Sequence, residues 1–440
     1  MSIYGCSKSF RLRKDVVQCP LMRTTRLFMK MSERTEAQHL PLWLSRFLRE
    51  IASLILGVFG CLLLLNASQE AQAAAKPAVH VVQAPAQCLA PDVVVDIKGV
   101  LHMVYGLEHH AYYVRSADNG ATLTPPVKVN STGMVETKMG ERGPKLAVGS
   151  DGSIHVVWMD EWAPGVKTFV RYSRSLDGGR SFEPLKTLSA MSGVDGVTLT
   201  ADGQDHVLAF WHVMVDPKPE VKSATWLHTT RSTDNGTAFG PTEKVNITNL
   251  SGLACSMCMM RARTGADGYV YLAFRNAEAS IRDFYVLKGR PTENRFTALR
   301  VNQDNWNIDY CPMCGPELTF SPNGQSLCAF MTRKRVYWAV GDAGMTGYRL
   351  HAATPDNEED ELYPSAVANR TGAVLFVWQV GPMAVKGTAT VKWAQYDEDG
   401  KPTGDAGTVG QSFAGTKATA FVGNDDNFYI VTTARKTNAP

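Results

Sequence analysis

The chain has 440 residues, 44% of them hydrophobic and 20% charged, with a formal net charge of +3. That length suits one large domain or two to three ordinary ones, and the composition is that of a globular chain. So even a charge balance, with no long basic run after the leader, argues against nucleic acid as a partner.

In chain order the first element is a targeting segment, expected to span residues 1–75. Lys30, Arg34, Arg46 and Arg49 precede the apolar run IASLILGVFGCLLLL, residues 51–65, and small residues around 71–75 offer cleavage sites. About fifteen apolar residues are short for a membrane span, so the run reads as a signal sequence, with membrane attachment only through an uncleaved segment. The leader is long enough for translation to start at Met29 or Met31. Cys61 lies inside the run, followed by four leucines, and reads as part of it rather than as a lipid anchor. The rest, residues 76–440, is expected to be exported to the periplasm or beyond the cell, where disulfides are permitted. It keeps Cys88, Cys255, Cys258, Cys311, Cys314 and Cys328.

After the leader, apolar runs of strand length recur and long amphipathic helical patterns are absent, so the fold class is all-β. AVHVVQ, residues 78–83, reads as a lone strand. Next comes a repeat. Gly99, Gly152, Gly268, Gly324 and Gly372 each close a tight turn, and each has an aromatic six residues on: Tyr105, Trp158, Phe274, Phe330 and Trp378. Pro91, Pro144, Pro316 and Pro364 each stand eight residues before their glycine. Looser copies start near Val197, with a turn at Asp202-Gly203, and near Ala418, with a turn at Asp425-Asp426. Seven copies at roughly 50–60-residue spacing predict a seven-bladed β-propeller, with six blades as the alternative. The last copy has only an inner hairpin, so residues 78–83 are expected to complete its blade and close the ring.

Five of the repeats also carry a turn farther out, three of them clearly. SADNGATL (116–123), SLDGGRSF (175–182) and STDNGTAF (232–239) share Ser-x-Asp-x-Gly, with weaker versions at residues 342–344 and 398–400. Asp bonds the turn backbone and Gly permits positive φ, so Asp118, Asp177 and Asp234 read as turn residues. This motif resembles the Asp box of the sialidase (BNR-repeat) superfamily. The resemblance covers most of residues 85–435 and implies a sialidase-type propeller whose Asp boxes face outward.

Two cysteine stretches interrupt the repeat. ACSMCMM (254–260) and DYCPMCGP (309–316) place Cys255 and Cys311, Met257 and Met313, and Cys258 and Cys314 each 56 residues apart, the same interval as Gly268 and Gly324. Equal offsets mean equivalent places on consecutive blades, just before the innermost strand. Inner-strand starts crowd around the axis, so four or five sulfurs, counting Cys88, are expected at the channel mouth. The run W-x-I-D-x-C-P-x-x-G-P, residues 306–316, further resembles a subgroup of secreted BNR-repeat proteins labelled exo-α-sialidase.

Three readings of the cysteines follow. Structural disulfides, within each Cys-x-x-Cys or between blades, are common in exported chains. A soft-metal site would use Cys255, Met257, Cys258, Cys311, Met313 and Cys314, with copper ahead of zinc because thioethers suit Cu(I). A thioredoxin-like role is disfavoured, because these cysteines open a strand rather than a helix. The ligand at the mouth is otherwise a small molecule, a glycan or a protein.

The resemblance also implies an enzyme alternative, a sialidase-like glycoside hydrolase. In that family an Arg-Ile-Pro motif grips the substrate carboxylate, and Arg142-Gly143-Pro144 holds the matching place here in altered form. The catalytic candidates are Arg142, Asp309 as acid and Tyr363 as a tyrosine near the mouth. Arg261, Arg263 and Arg275 are further arginine candidates, and Asp160 and Glu161 further acids. His109-His110 and the acidic stretch 355–364 read as exposed, and Cys328 as a buried thiol.

Overall fold

In the computed structural model, the described residues are 76–433 apart from 138–140, 162–166, 192, 214–223, 343–345, 353–359, 382–387 and 414–416. The targeting segment, the first half of the acidic stretch (355–359) and part of one weaker Asp box (343–344) lie outside them, whereas residues 361–364 of the acidic stretch are buried in a strand rather than exposed. The described residues form seven sheets. The innermost strands of successive blades are Leu89–Val95, Lys145–Val148, Val194–Ala201, Arg261–Thr264, Glu317–Phe320, Glu361–Ala368 and Thr419–Val422. In each of the first six blades the next three strands follow outward in sequence order and antiparallel. Apart from a 3-10 turn at Glu278–Ser280 the described elements are strands, and none is a helix long and apolar enough to cross a membrane. The seven-bladed propeller is therefore the fold, rather than the six-bladed alternative.

The seventh blade is composite. Its inner pair, Thr419–Val422 and Phe428–Thr432, is joined by Val79–Gln83, which runs parallel to Phe428–Thr432 from Val79↔Phe428 to Gln83↔Thr432. The two ends of the propeller thus meet in one sheet, and the ring has no open seam.

The repeated residues fill the places their chemistry suits. Gly99, Gly152, Gly268, Gly324 and Gly372 all have φ between 75° and 87°, a backbone region that glycine enters at no steric cost. In the third blade the position equivalent to those glycines belongs to Asp205 (φ 97°), because Asp202 starts the turn by accepting the N–H groups of Gln204 and His206; Gly203, two residues earlier, is left-handed as well (φ 72°). With Asp205 as anchor, Trp211 falls six residues on, and the third copy has its aromatic after all. Asp426 (φ 66°) takes the same position in the seventh.

The apolar core is divided among the seams. Seven clusters of buried side chains each join two neighbouring blades, and Tyr105, Trp158, Trp211, Phe274, Phe330 and Trp378 each belong to one of them. The innermost strands have no strand partner on the axial side, so side chains of the preceding blade satisfy them. Asp92 Oδ2 accepts the Leu146 N–H at 2.9 Å, Thr198 Oγ1 that of Ala262 at 3.1 Å, and Ser365 Oγ that of Ala420 at 3.1 Å. These bonds supply partners that buried backbone groups require.

The Asp boxes close the outer hairpins. Asp118 accepts the N–H and hydroxyl of Thr122, and Ser116 Oγ accepts the Gly120 N–H at 2.8 Å. Asp177 and Asp234 repeat the arrangement. The glycines fit against the preceding blade: a Cβ on Gly179 would meet Tyr113 at 2.1 Å, and one on Gly236 the Tyr172 hydroxyl at 1.9 Å.

Candidate functional site

Cys255, Cys258 and Cys311 converge between the third, fourth and fifth blades. Cys255 ends the short strand Leu253–Cys255, which pairs with the third blade through Ala224↔Cys255. Cys258 stands just before the fourth inner strand and Cys311 before the fifth. All three sulfurs lie within 4.8 Å of one another, Cys258 being 3.5 Å from Cys255 and 3.3 Å from Cys311. The three are buried, and Met257 and Met313, each half-buried, pack against them. Both methionines are left-handed, with φ of 61° and 51°.

The spacing has chemical meaning. A disulfide needs sulfurs at about 2.05 Å, and none of the six described cysteines is bonded. Thiolates around a metal at about 2.3 Å stand about 3.8 Å apart in a tetrahedron, close to the distances found. Burial raises the Cys258 thiol. The hydrogen-bonding thiols of Cys255 and Cys311, the nearby Arg275 guanidinium and the Cys314 N–H outweigh that and hold it well below the ordinary thiol range. Burial holds Cys255 and Cys311 above it.

The other cysteines are placed differently. The Cys314 sulfur, fully buried, accepts the Tyr363 N–H at 3.3 Å and packs in the seam between the fifth and sixth blades. Cys88 is buried with Val93 and Tyr105 in the seam between the seventh and first blades. The three-thiol group includes neither, so three sulfurs meet where the spacing led to an expectation of four or five. Cys328 is wholly buried among apolar side chains of the seam between the fourth and fifth blades.

Of the hydrolase candidates, Asp309 is exposed. Tyr363 is 5% exposed, beside Cys314, and burial pushes its hydroxyl well above the ordinary phenol range. Arg142 is paired with Asp195 of the next blade: its Nε donates to Oδ1 at 2.7 Å and its Nη2 to Oδ2. Arg261 bridges Asp92 at 2.6 Å and Glu317 at 2.7 Å, and Arg263 lies 3.6 Å from Glu317. Arg275 donates to the carbonyls of Arg282, Cys314 and Met331 and lies over the Phe284 ring, 4.1 Å from its centroid. The four arginines are thus engaged within the protein. Asp160 pairs with Arg171 and Glu161 with His109.

Two features of the hub have no signal in the sequence. Glu141, from the second blade, reaches across the axis to accept the Gly315 N–H at 2.7 Å. Lys417 of the seventh blade lies 2.9 Å from Glu317 and 3.9 Å from Glu141. These side chains, with Arg261 and Asp92, bring ion pairs from five blades onto the axis. The cavity left among them is about 10 Å³, room for one water at most. Burial holds Glu141 above the ordinary carboxylate range, whereas Arg261, Lys417 and Arg263 overcome burial and hold Glu317 below it.

A scan against protein-family models finds no match, and a search of curated proteins finds none. Solved structures are similar. An alpha-L-arabinanase of Penicillium chrysogenum aligns with a TM-score of 0.50 at 13% identity, over 74% of this chain and 98% of that one. An alpha-L-arabinofuranosidase of Fusarium graminearum gives 0.48 at 14% identity, over 74% and 98%. A Hadza microbial sialidase gives 0.43 at 15% identity, over 66% and 63%. Identities this low speak to the fold alone. With its repeated hairpins and closed ring, the chain has a seven-bladed β-propeller fold.

Proposed function

We propose that the protein is an exported propeller that binds a soft metal ion, copper(I), through Cys255, Cys258 and Cys311. The observation that supports this reading is the approach of three buried thiols to within 4.8 Å of one another from loops on different blades. Thiolates and thioethers are the ligands that suit Cu(I), and Met257 and Met313 add two thioethers beside the group. Zinc would call for a fourth ligand in a tetrahedron. The Cys314 sulfur, the next thiol in sequence, is already an acceptor for the Tyr363 N–H. A propeller of this size has core enough to do without cross-links, so stapling is not needed to explain the cysteines.

Protein purified from the exported fraction is assayed for metal by mass spectrometry and for thiols by titration before and after chelation. About one copper per chain, with thiols that react only once it is removed, is the expected result. Metal-free protein whose thiols stay blocked until a reductant is added would favour structural disulfides instead. The hydrolase alternative rests on likeness of fold, and the Arg142–Asp195 pair stands against it. Release of sialic acid from a fluorogenic sialoside, abolished in Arg142→Ala, would reverse that preference.

A further inference from the structure

We infer that Met257 and Met313 form an entrance site, a pair of thioethers that captures a soft monovalent cation from solvent and passes it to the buried thiols. The inference rests on the metal-binding reading above and adds a step to it. Cys255 and Cys258 are each 1% exposed and Cys311 7%, whereas both methionines are half-buried and pack against the same three sulfurs. The methionines are therefore the more exposed residues of the group, and the three cysteines the more deeply buried.

The backbone supports a dedicated role. Left-handed geometry is strained for a residue with a side chain, and both methionines adopt it at the same slot of consecutive blades. The residues at that slot in the first two blades, Cys88 and Glu141, do not. At that slot the conformation belongs to the two Cys-x-Met-Cys loops, whereas in the first and sixth blades left-handed residues stand two positions later, at Ala90 and Tyr363. Strain of this kind gathers where a side chain must be presented in one particular place.

The chemistry is ligand exchange. A thioether is soft and neutral, so it takes up Cu(I) without first losing a proton. In the transfer a metal–thioether bond breaks, a metal–thiolate bond forms and the thiol proton passes to solvent. The ion stays monovalent and no electron moves.

The test is the double variant Met257→Leu/Met313→Leu, which keeps volume and apolarity and is matched to wild type by circular dichroism and melting. Cu(I) is delivered as its coloured bicinchoninate complex, and loss of colour is followed by stopped flow. The expected result is uptake slowed by about tenfold, equivalent to about 1.4 kcal/mol of barrier, with final copper content lowered far less than in Cys258→Ser. Reaction of the same thiols with a small thiol reagent, methyl methanethiosulfonate, is expected to keep its wild-type rate. Unchanged copper uptake overturns the inference. So does equal slowing of copper and reagent, which makes the methionines a steric cover, or a loss of final copper as large as in Cys258→Ser, which makes them resting ligands. Wild type that takes up no Cu(I) ends the metal-binding reading itself, whereas the other failures leave wild-type loading intact.

Discussion

The sulfurs of Cys258 and Cys311 are 3.3 Å apart, although 53 residues separate them in sequence and each belongs to a different blade. Cys258 is also the thiol that contacts both others. Replacing it therefore removes the middle of the group. Cys258→Ser is expected to lose bound copper entirely, and Cys311→Ser or Cys255→Ser to weaken retention by at least about tenfold, or 1.4 kcal/mol. Cys314→Ser, whose sulfur meets the Tyr363 N–H instead, is expected to keep its copper. Metal content after dialysis against a graded Cu(I) chelator checks the order, and a Cys314→Ser variant as empty as Cys258→Ser would contradict it.

The hub makes a stability prediction. Arg261 is 5% exposed and holds Asp92 and Glu317, which are 0% and 2% exposed. Taking away one member of a buried ion network leaves uncompensated charge and costs about 3–5 kcal/mol. Arg261→Met is expected to lower the urea-unfolding free energy by that amount. Adding Asp92→Asn should restore part of the loss, since the two changes share a partner. Strict additivity of the two would show that the bridge contributes nothing.

His155 gives the fold a pH dependence. It is fully buried, with Nδ1 2.6 Å from the Tyr172 hydroxyl and Nε2 2.8 Å from Ser153 Oγ. Burial pushes its imidazole down from 6.5 to about 4. The neutral form is favoured in the fold, so below pH 6.5 the unfolded chain takes up a proton that the native chain refuses. The contribution to stability is complete above pH 6.5 and is lost as pH falls towards 4, amounting to about 3 kcal/mol over that window. His155→Gln does not titrate there. Wild type is expected to lose about 3 kcal/mol more than the variant between pH 7 and pH 4, read from urea unfolding at several pH values. Parallel curves for the two proteins would assign the acid sensitivity elsewhere.

Much of this architecture is legible in the sequence, because a propeller repeats one hairpin and spacing records position around the ring. The interval that joins Gly268 to Gly324 also joins Cys255 to Cys311, and that is enough to bring those loops to one face. What spacing leaves open is the direction of a side chain within its slot. Cys258 and Cys314 hold equivalent slots, yet one sulfur joins the group and the other turns to the next blade, where Tyr363 offers an N–H. Equally, the third turn has the same length as the first but carries Asp205 where the first has Gly99, so an anchor on Gly203 misses Trp211 by two residues. The bond from Glu141 to Gly315 crosses the axis over 174 residues, and no local pattern encodes a partner so remote. The pairing of Arg142 with Asp195 is of the same kind: both occupy matching slots in adjacent blades, and only their opposite charges hint at the contact.

Ring closure is the last of the expected outcomes. Val79–Gln83 lies beside Phe428–Thr432, and within it Val82 is 5% exposed, packed in the cluster that joins the seventh blade to the first. Gly120 of the first Asp box fits against the same side chain, a Cβ there meeting Val82 at 2.7 Å. An aspartate at position 82 would place an unpaired carboxylate in that seam and lose the valine's packing, a combination that costs about 3–5 kcal/mol. Val82→Asp is expected to melt well below wild type and to aggregate on warming, since loss of the closing strand uncovers the edge of Phe428–Thr432. Val82→Ile, which keeps the seam apolar, should stay within about 1 kcal/mol of wild type. Hydrogen exchange then separates the cases: in Val82→Asp the amides of Phe428–Thr432 should exchange first, and uniform loss of protection over all blades would argue that the seventh blade is not the ring's clasp.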